Sequence, residues 1–381
     1  MPAVPERFTV HVPDELLADL SARLDRVRWP DTDVGAPWDG GTDLQFLQQL
    51  VFYWRDGFDW RAREIELNRW SHFRVPVGGL QTHFVHEPGR GPAPVPLLVL
   101  HGWPSTFTQM ARVLPLLSDP AAHGGAAADA FSVVVPSLPG FGFSDAPTTP
   151  GMNPAAMGEV FHTLMTEVLG YDRYAVRGTD YGLAVALQMG LAHPEHVIGV
   201  HIGGTFLAVN EVPDDLSAAE RRFVAESQRW YAEEAAYNTI QATKPQTIGY
   251  ALNDSPAGLA AWIVEKYRTW CACPGDLVSV FGMDDLLTTI TLYWATGTIT
   301  SSMRLYRQDR LFPPAAGRLG VPLAVNQPEL EAFYPPREWW ERLHPVHRWT
   351  LLPGAGHFPE WEAPRALADD VRDFLRPLRR A

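Results

Sequence analysis

Gly178-Thr179-Asp180-Tyr181-Gly182 follows the apolar run Tyr174-Ala175-Val176 and leads into the Ala- and Leu-rich stretch Leu183 to Ala192. A small-x-nucleophile-x-small pattern between a strand and a helix is the signature of a nucleophile elbow. Its glycines let the backbone turn sharply and hold the central side chain up at the strand's end. Serine commonly fills that centre; here it is Asp180. A carboxylate attacks sp³ carbon and leaves an alkyl ester, which a separately activated water must then hydrolyse. The substitution therefore points to opening an epoxide ring or displacing a halide rather than to esterase or protease chemistry.

Upstream of the elbow, Val95-Pro96-Leu97-Leu98-Val99-Leu100 and Phe131-Ser132-Val133-Val134-Val135-Pro136 read as buried strands. Before them a hairpin is expected, Phe73 to Leu80 then Gln81 to His86, turning at Gly78-Gly79. Helices are predicted at Pro13 to Leu20, Leu44 to Trp54 and Pro154 to Leu169. Downstream, Val197 to Ile202 reads as one more strand. Short continuous apolar strands alternating with helices indicate a parallel sheet covered on both faces. From about Phe206 to about Pro313 the pattern is helical and dense in aromatics. Strand character returns at Val321 to Val325 and Arg348 to Leu352, and a helix from about Pro364 to Leu378 closes the chain. A helical block inserted into such a sheet is expected to form a lid over the strand ends.

Composition limits the partners. The 381 residues carry a net charge of −13, which argues against nucleic acid and anionic membrane surfaces. No apolar run approaches the ~20 residues of a membrane helix, and the start, Met1 to Arg7, lacks a signal peptide's apolar core. The two cysteines, Cys271 and Cys273, stand too close for an easy disulfide and have no ligand companions, so no zinc site is implied. The expectation is a cytoplasmic enzyme with no membrane anchor, metal or cofactor.

An elbow nucleophile works with an acid and a histidine that follow it in the chain. Gly354-Ala355-Gly356-His357-Phe358 comes after the last strand, where its glycines free the loop to present His357 over the sheet edge. For the acid, Glu329 and Glu331 both lie in the loop after Val321 to Val325, and residue chemistry alone barely separates them. His101-Gly102-Trp103-Pro104 ends an early strand, where a backbone N–H commonly completes an oxyanion hole. The amides of Trp103 and Tyr181 are the candidate donors. Opening an epoxide also needs a proton donor for the ring oxygen, a task suited to a phenol. The lid offers Tyr231, Tyr237, Tyr250, Tyr267, Tyr293 and Tyr306, which periodicity does not rank.

With these residues assembled, the chain resembles the epoxide hydrolases of the α/β-hydrolase superfamily, in particular their microsomal and fungal-type branch. The likeness spans nearly the whole length. Arg28-Trp29-Pro30-Asp31, Tyr53-Trp54 and Phe58-Asp59-Trp60-Arg61 look like that branch's N-terminal region. Asn253 to Trp262 and Tyr293-Trp294-Ala295-Thr296-Gly297-Thr298 look like its lid signatures, and His101 to Pro104 matches its oxyanion motif. The resemblance implies an α/β-hydrolase fold with a mostly parallel central sheet, an inserted helical lid and an N-terminal extension. It divides the chain into an N-terminal region (1–92) packing on the core, a first core part (93–205), a lid (206–315) and a second core part (316–381). It favours Glu331 over Glu329, because Glu331 precedes Trp339 as the family's acid precedes a matching Trp. It also places Tyr237 and Tyr306 on the two ring-opening tyrosines. One departure is visible, since the family usually has Gly-Gly-Asp-Trp-Gly where this chain has Thr179 and Tyr181.

The implied reaction joins a small-molecule epoxide, apolar or aromatic given the lid, with water to give a vicinal diol. Asp180 would form the ester, Tyr237 and Tyr306 would hold the ring oxygen, and His357 oriented by Glu331 would activate the water. A homodimer is a further expectation of the resemblance. Two rivals remain. A haloalkane or haloacid dehalogenase would use the same Asp nucleophile, and a non-catalytic binding protein would keep only the scaffold.

Overall fold

The computed structural model describes residues 3–203, 212–273 and 275–380. Nine strands form one sheet: β1 (Glu6–Arg7), β2 (His72–Val77), β3 (Leu80–Glu87), β4 (Val95–Leu100), β5 (Phe131–Pro136), β6 (Tyr174–Thr179), β7 (Val197–Gly203), β8 (Leu323–Pro328) and β9 (Val346–Leu352). Their order is β1-β2-β3-β5-β4-β6-β7-β8-β9. The pairs from β5 through β4 to β9 are parallel, and β1, β2 and β3 extend the sheet antiparallel. This is the α/β-hydrolase fold.

The apolar runs become central strands because both of their faces find apolar cover. Leu98 and Leu100 of β4, Val134 of β5 and Val176 of β6 point into one hydrophobic cluster. Their neighbours Leu97, Val99, Val133, Val135 and Ala175 point into a second cluster on the opposite face. Successive side chains of a strand alternate between faces, so a strand buried on both sides reads as a continuous apolar run. The hairpin between β2 and β3 turns at Gly78 and Gly79, at φ of 58° and 82°. Two consecutive positive φ values make a tight two-residue connection, which glycine adopts without steric cost.

Between β7 and β8 the described residues form helices only, including Ala218–Glu233, Ala236–Thr243, Pro256–Trp270, Met283–Thr296 and Ile299–Leu311. The expected start of the lid, at 205/206, lies outside the described residues. The predicted helix from Pro154 runs as α-helix to Thr163 and continues as a π-helical turn, Leu164–Val168. The Cα atoms of Cys271 and Cys273 stand 5.2 Å apart. Among the described residues, no helix is long and apolar enough to cross a membrane and no group of three or more His, Cys, Asp or Glu could hold a metal ion.

The N-terminal helices dock on the lid through specific polar contacts as well as apolar area. Trp54, 4% exposed, donates its indole N–H to Thr291 Oγ1 at 3.0 Å, and the Tyr53 hydroxyl donates to Asp284 at 2.7 Å. Arg63 pairs with Asp285 at 2.9 Å. Trp54→Ala should therefore cost about 3–5 kcal/mol, the usual range for deleting a buried aromatic. The expected readout is a lowered Tm with faster proteolysis of the N-terminal segment. An unchanged Tm would mean that this docking adds nothing to stability.

Candidate active site

The loops that carry the predicted residues leave the same edge of the sheet. Parallel register sets Leu100 beside Gly178, Gly178 beside Ile202, Gly203 beside Asn326 and Pro328 beside Leu352. The chain segments after β4, β6, β8 and β9 thus emerge side by side at the carboxyl ends of the strands, the usual position for a site in such a sheet.

Asp180 sits between β6 and the helix Tyr181–Ala192 at φ 52°, a left-handed conformation for a residue with a side chain. Such strain costs ~1–3 kcal/mol and persists only where surrounding packing enforces it. The packing here is backbone against backbone. A Cβ on Gly178 would lie 2.1 Å from the Gly182 carbonyl oxygen, and one on Gly182 would lie 2.4 Å from that of Leu100. A Cβ on Gly102 would meet Asp180 Oδ1 at 2.2 Å. The Trp103 amide donates to Asp180 Oδ1 at 2.9 Å. Tyr181 is the first residue of its helix, so its N–H has no intrahelical acceptor.

His357 lies against Asp180 on one side and Glu331 on the other. Its Nε2 is 3.5 Å from Asp180 Oδ2, and its Nδ1 is 3.1 Å from Glu331 Oε2. The alternative acid, Glu329, points elsewhere and accepts the Gly354 N–H at 3.1 Å. Burial disfavours a charged imidazole, but the Glu331 and Asp180 carboxylates outweigh it and raise His357 to about 10. Burial pushes the Glu331 carboxyl up, and the charge on His357 holds it back. Both neighbouring carboxylates therefore favour the charged form of His357. His101, by contrast, is lowered to about 4 by burial. As a neutral ring it donates Nδ1–H to Gly102 O and accepts the Leu138 N–H at Nε2, which fixes the loop that carries Trp103.

Tyr237 and Tyr306 come from different lid helices and meet edge-on with ring centroids 6.0 Å apart. Trp103 stacks on Tyr237 with centroids 5.5 Å apart and meets Tyr306 edge-on at 5.9 Å. Tyr181 closes the group at 4.7 Å from Tyr306. Burial raises both lid phenols well above the ordinary tyrosine value, so they remain proton donors throughout the neutral range. Of the other candidates, Tyr293 donates to the Ser105 carbonyl, Tyr267 bonds the Ser105 hydroxyl, and Tyr250 is exposed.

Several neighbours of this group carry no sequence signal. The Lys266 ammonium lies 4.5 Å over the Tyr237 ring. Arg177, three residues before Asp180, forms a buried ion pair with Glu360 at 2.9 Å and contacts His201 at 3.1 Å. Glu362 accepts amides on both sides of His357. Their chemistry depends on burial and on partners far away in the chain, which spacing does not encode.

Comparison with known proteins finds relatives over nearly the whole chain. Residues 5–110 match the family model for the epoxide hydrolase N terminus, and residues 95–257 match that for the alpha/beta hydrolase fold. Epoxide hydrolase 1 of Sus scrofa is 34% identical over 97% of this chain and 88% of its own length. The juvenile hormone epoxide hydrolase of Bombyx mori superposes with a TM-score of 0.85 at 30% identity, covering 99% of this chain and 94% of that one. The epoxide hydrolase of Aspergillus niger gives a TM-score of 0.85 at 27% identity, covering 98% and 96%.

The Gly102 contact makes a direct prediction. Gly102→Ala should push the Asp180 carboxylate off the Trp103 amide and lower epoxide turnover by about 100-fold, the order of loss for a misplaced reacting group. Circular dichroism should stay unchanged. Wild-type turnover in this variant would show that the close approach does not position Asp180.

Proposed function

The chain belongs to the epoxide hydrolases of the α/β-hydrolase fold, and from that premise we propose that Asp180 opens an epoxide by forming a covalent ester. The observation that carries this reading is the set of three groups in line: the strained Asp180 carboxylate, His357 at 3.5 Å, and Glu331 behind it at 3.1 Å.

Asp180 Oδ2 attacks a ring carbon and the carbon–oxygen bond breaks. The electron pair goes to the ring oxygen, which takes a phenolic proton from Tyr237 or Tyr306. Asp180 is now a neutral ester, so one of the two carboxylates that kept His357 protonated is gone. Its imidazolium becomes more acidic and returns a proton to the tyrosinate. Neutral His357 then takes a proton from water as that water attacks the ester carbonyl. The Trp103 and Tyr181 amides face the oxyanion that forms. Collapse breaks the acyl–oxygen bond, the diol leaves with the remaining proton, and the pair of Asp180 carboxylate and His357 imidazolium is restored. No cofactor or metal enters the cycle.

The aromatic walls built by Trp103, Tyr181, Tyr237 and Tyr306 support an apolar or aromatic epoxide as substrate. The paired phenols favour ring opening over halide displacement, since an alkoxide needs a proton and a halide does not. A binding protein would have no use for a water-activating imidazole held between carboxylates.

His357→Gln should leave ester formation intact and stop its hydrolysis, so the intact protein gains the mass of one substrate and turns over no further. A His357 variant that turns over at the wild-type rate would refute the assignment. The pH dependence has a definite sign. His357 must be neutral to activate water, and in the ester it titrates below about 10 because the Asp180 charge has gone. Ester hydrolysis should therefore speed up as pH rises, and the steady-state fraction of ester should grow as pH falls. Rapid quench across the neutral range checks this; more ester at high pH would contradict it.

A further inference from the structure

The tripeptide Gly356-His357-Phe358 presents three successive backbone N–H groups, and none of them bonds within its own loop. The Gly356 and Phe358 amides both donate to Glu362 Oε2, each at 3.0 Å. The His357 amide between them donates to the Trp270 carbonyl of the lid at 2.9 Å. The other oxygen of Glu362 accepts the Ala272 N–H, again from the lid. A single carboxylate thus bonds the backbone on both sides of the catalytic imidazole and at the same time the lid segment beneath it. The two backbones come so close that a Cβ on Gly356 would lie 2.5 Å from Ala272 N and 2.7 Å from the Trp270 carbonyl oxygen. The Trp270 indole also meets the His357 ring edge-on at 5.0 Å.

We propose that Glu362 is a positioning residue for the hydrolytic half of the reaction: it locks the His357 loop to the lid so that Nε2 stays aimed at the ester carbonyl. The inference rests on the reading of His357 as the water-activating base. Glu362 itself does not touch Asp180 or the phenols. Its effect on ring opening is therefore small, while its effect on water attack is large. Three amide donors converging on one carboxylate are charge-assisted hydrogen bonds, which are roughly twice as strong as neutral ones. Burial pushes this carboxyl up to about 7 although those amides favour its charged form. An amide side chain at this position cannot replace it. Glutamine keeps one acceptor oxygen and turns its NH₂ toward at least one of the three N–H groups.

The test separates the two half-reactions by rapid quench with excess enzyme over styrene oxide, in wild type, Glu362→Gln, Glu362→Asp and His357→Gln. The expected result for Glu362→Gln is an ester-formation rate close to wild type and a hydrolysis rate lower by about 10- to 100-fold, the scale of loss for a misaimed catalytic group. Glu362→Asp keeps the charge but is one methylene short, and should fall between the two. It carries the same comparison if the glutamine variant folds poorly. Equal loss in both half-reactions would mean general damage and would overturn the proposal, as would no loss in either. His357→Gln is the internal reference. If it fails to hold the ester, the reading of His357 as base falls, whereas ester trapped there with wild-type hydrolysis in both Glu362 variants overturns only the positioning role.

Discussion

Three glycines without side chains allow one aspartate to be held in place. Gly178 and Gly182 let the end of β6 and the start of the following helix pass within contact of the β4 carbonyl, and Gly102 leaves room for the Asp180 carboxylate itself. A Cβ at Gly178 or Gly182 would run into backbone, and one at Gly102 would run into the Asp180 side chain. The resulting turn forces Asp180 to φ 52° and turns its carboxylate toward the Trp103 amide and His357. The positions of the phenols, the imidazole and the second carboxylate have meaning only relative to that fixed point. The surrounding sheet supplies the rigidity, since its central strands are buried on both faces.

Charge explains how one site can serve two opposite steps. Ring opening needs an ionised nucleophile and proton donors; ester hydrolysis needs a base. In the proposed mechanism, an imidazolium between two carboxylates stores the proton while Asp180 is charged and releases it once Asp180 is esterified. Burial acts in the same direction on the phenols, keeping Tyr237 and Tyr306 protonated until an alkoxide develops beside them. On this proposal the site changes its protonation by changing the charge of one residue.

Much of the architecture was legible in the sequence where local pattern decides it. The strands β4 to β7 stand where continuous apolar runs predicted them, and the Gly78-Gly79 turn where two positive φ values were needed. What escaped notice lacked such a pattern. Strand β1 has two residues, and the helix Trp60–Leu67 is too charged to show an apolar face, with Glu64 buried among its own partners. The choice between Glu329 and Glu331 could not be made from chemistry, because two residues of loop separate a contact with Gly354 from a contact with His357. Lys266, Arg177, Glu360 and Glu362 escaped for a related reason. A buried charge looks like any surface charge until the segment that buries it, often more than a hundred residues away, is known.

The covalent step is the claim on which the mechanism stands. A single turnover of excess enzyme with styrene oxide in ¹⁸O-labelled water, followed by mass spectrometry of diol and peptide, tests it directly. The mechanism predicts an unlabelled diol, because both of its oxygens come from the epoxide and from Asp180, with the label appearing in the Asp180 carboxylate. Label in the diol of that first turnover would mean that water attacks the epoxide itself, and would contradict the ester.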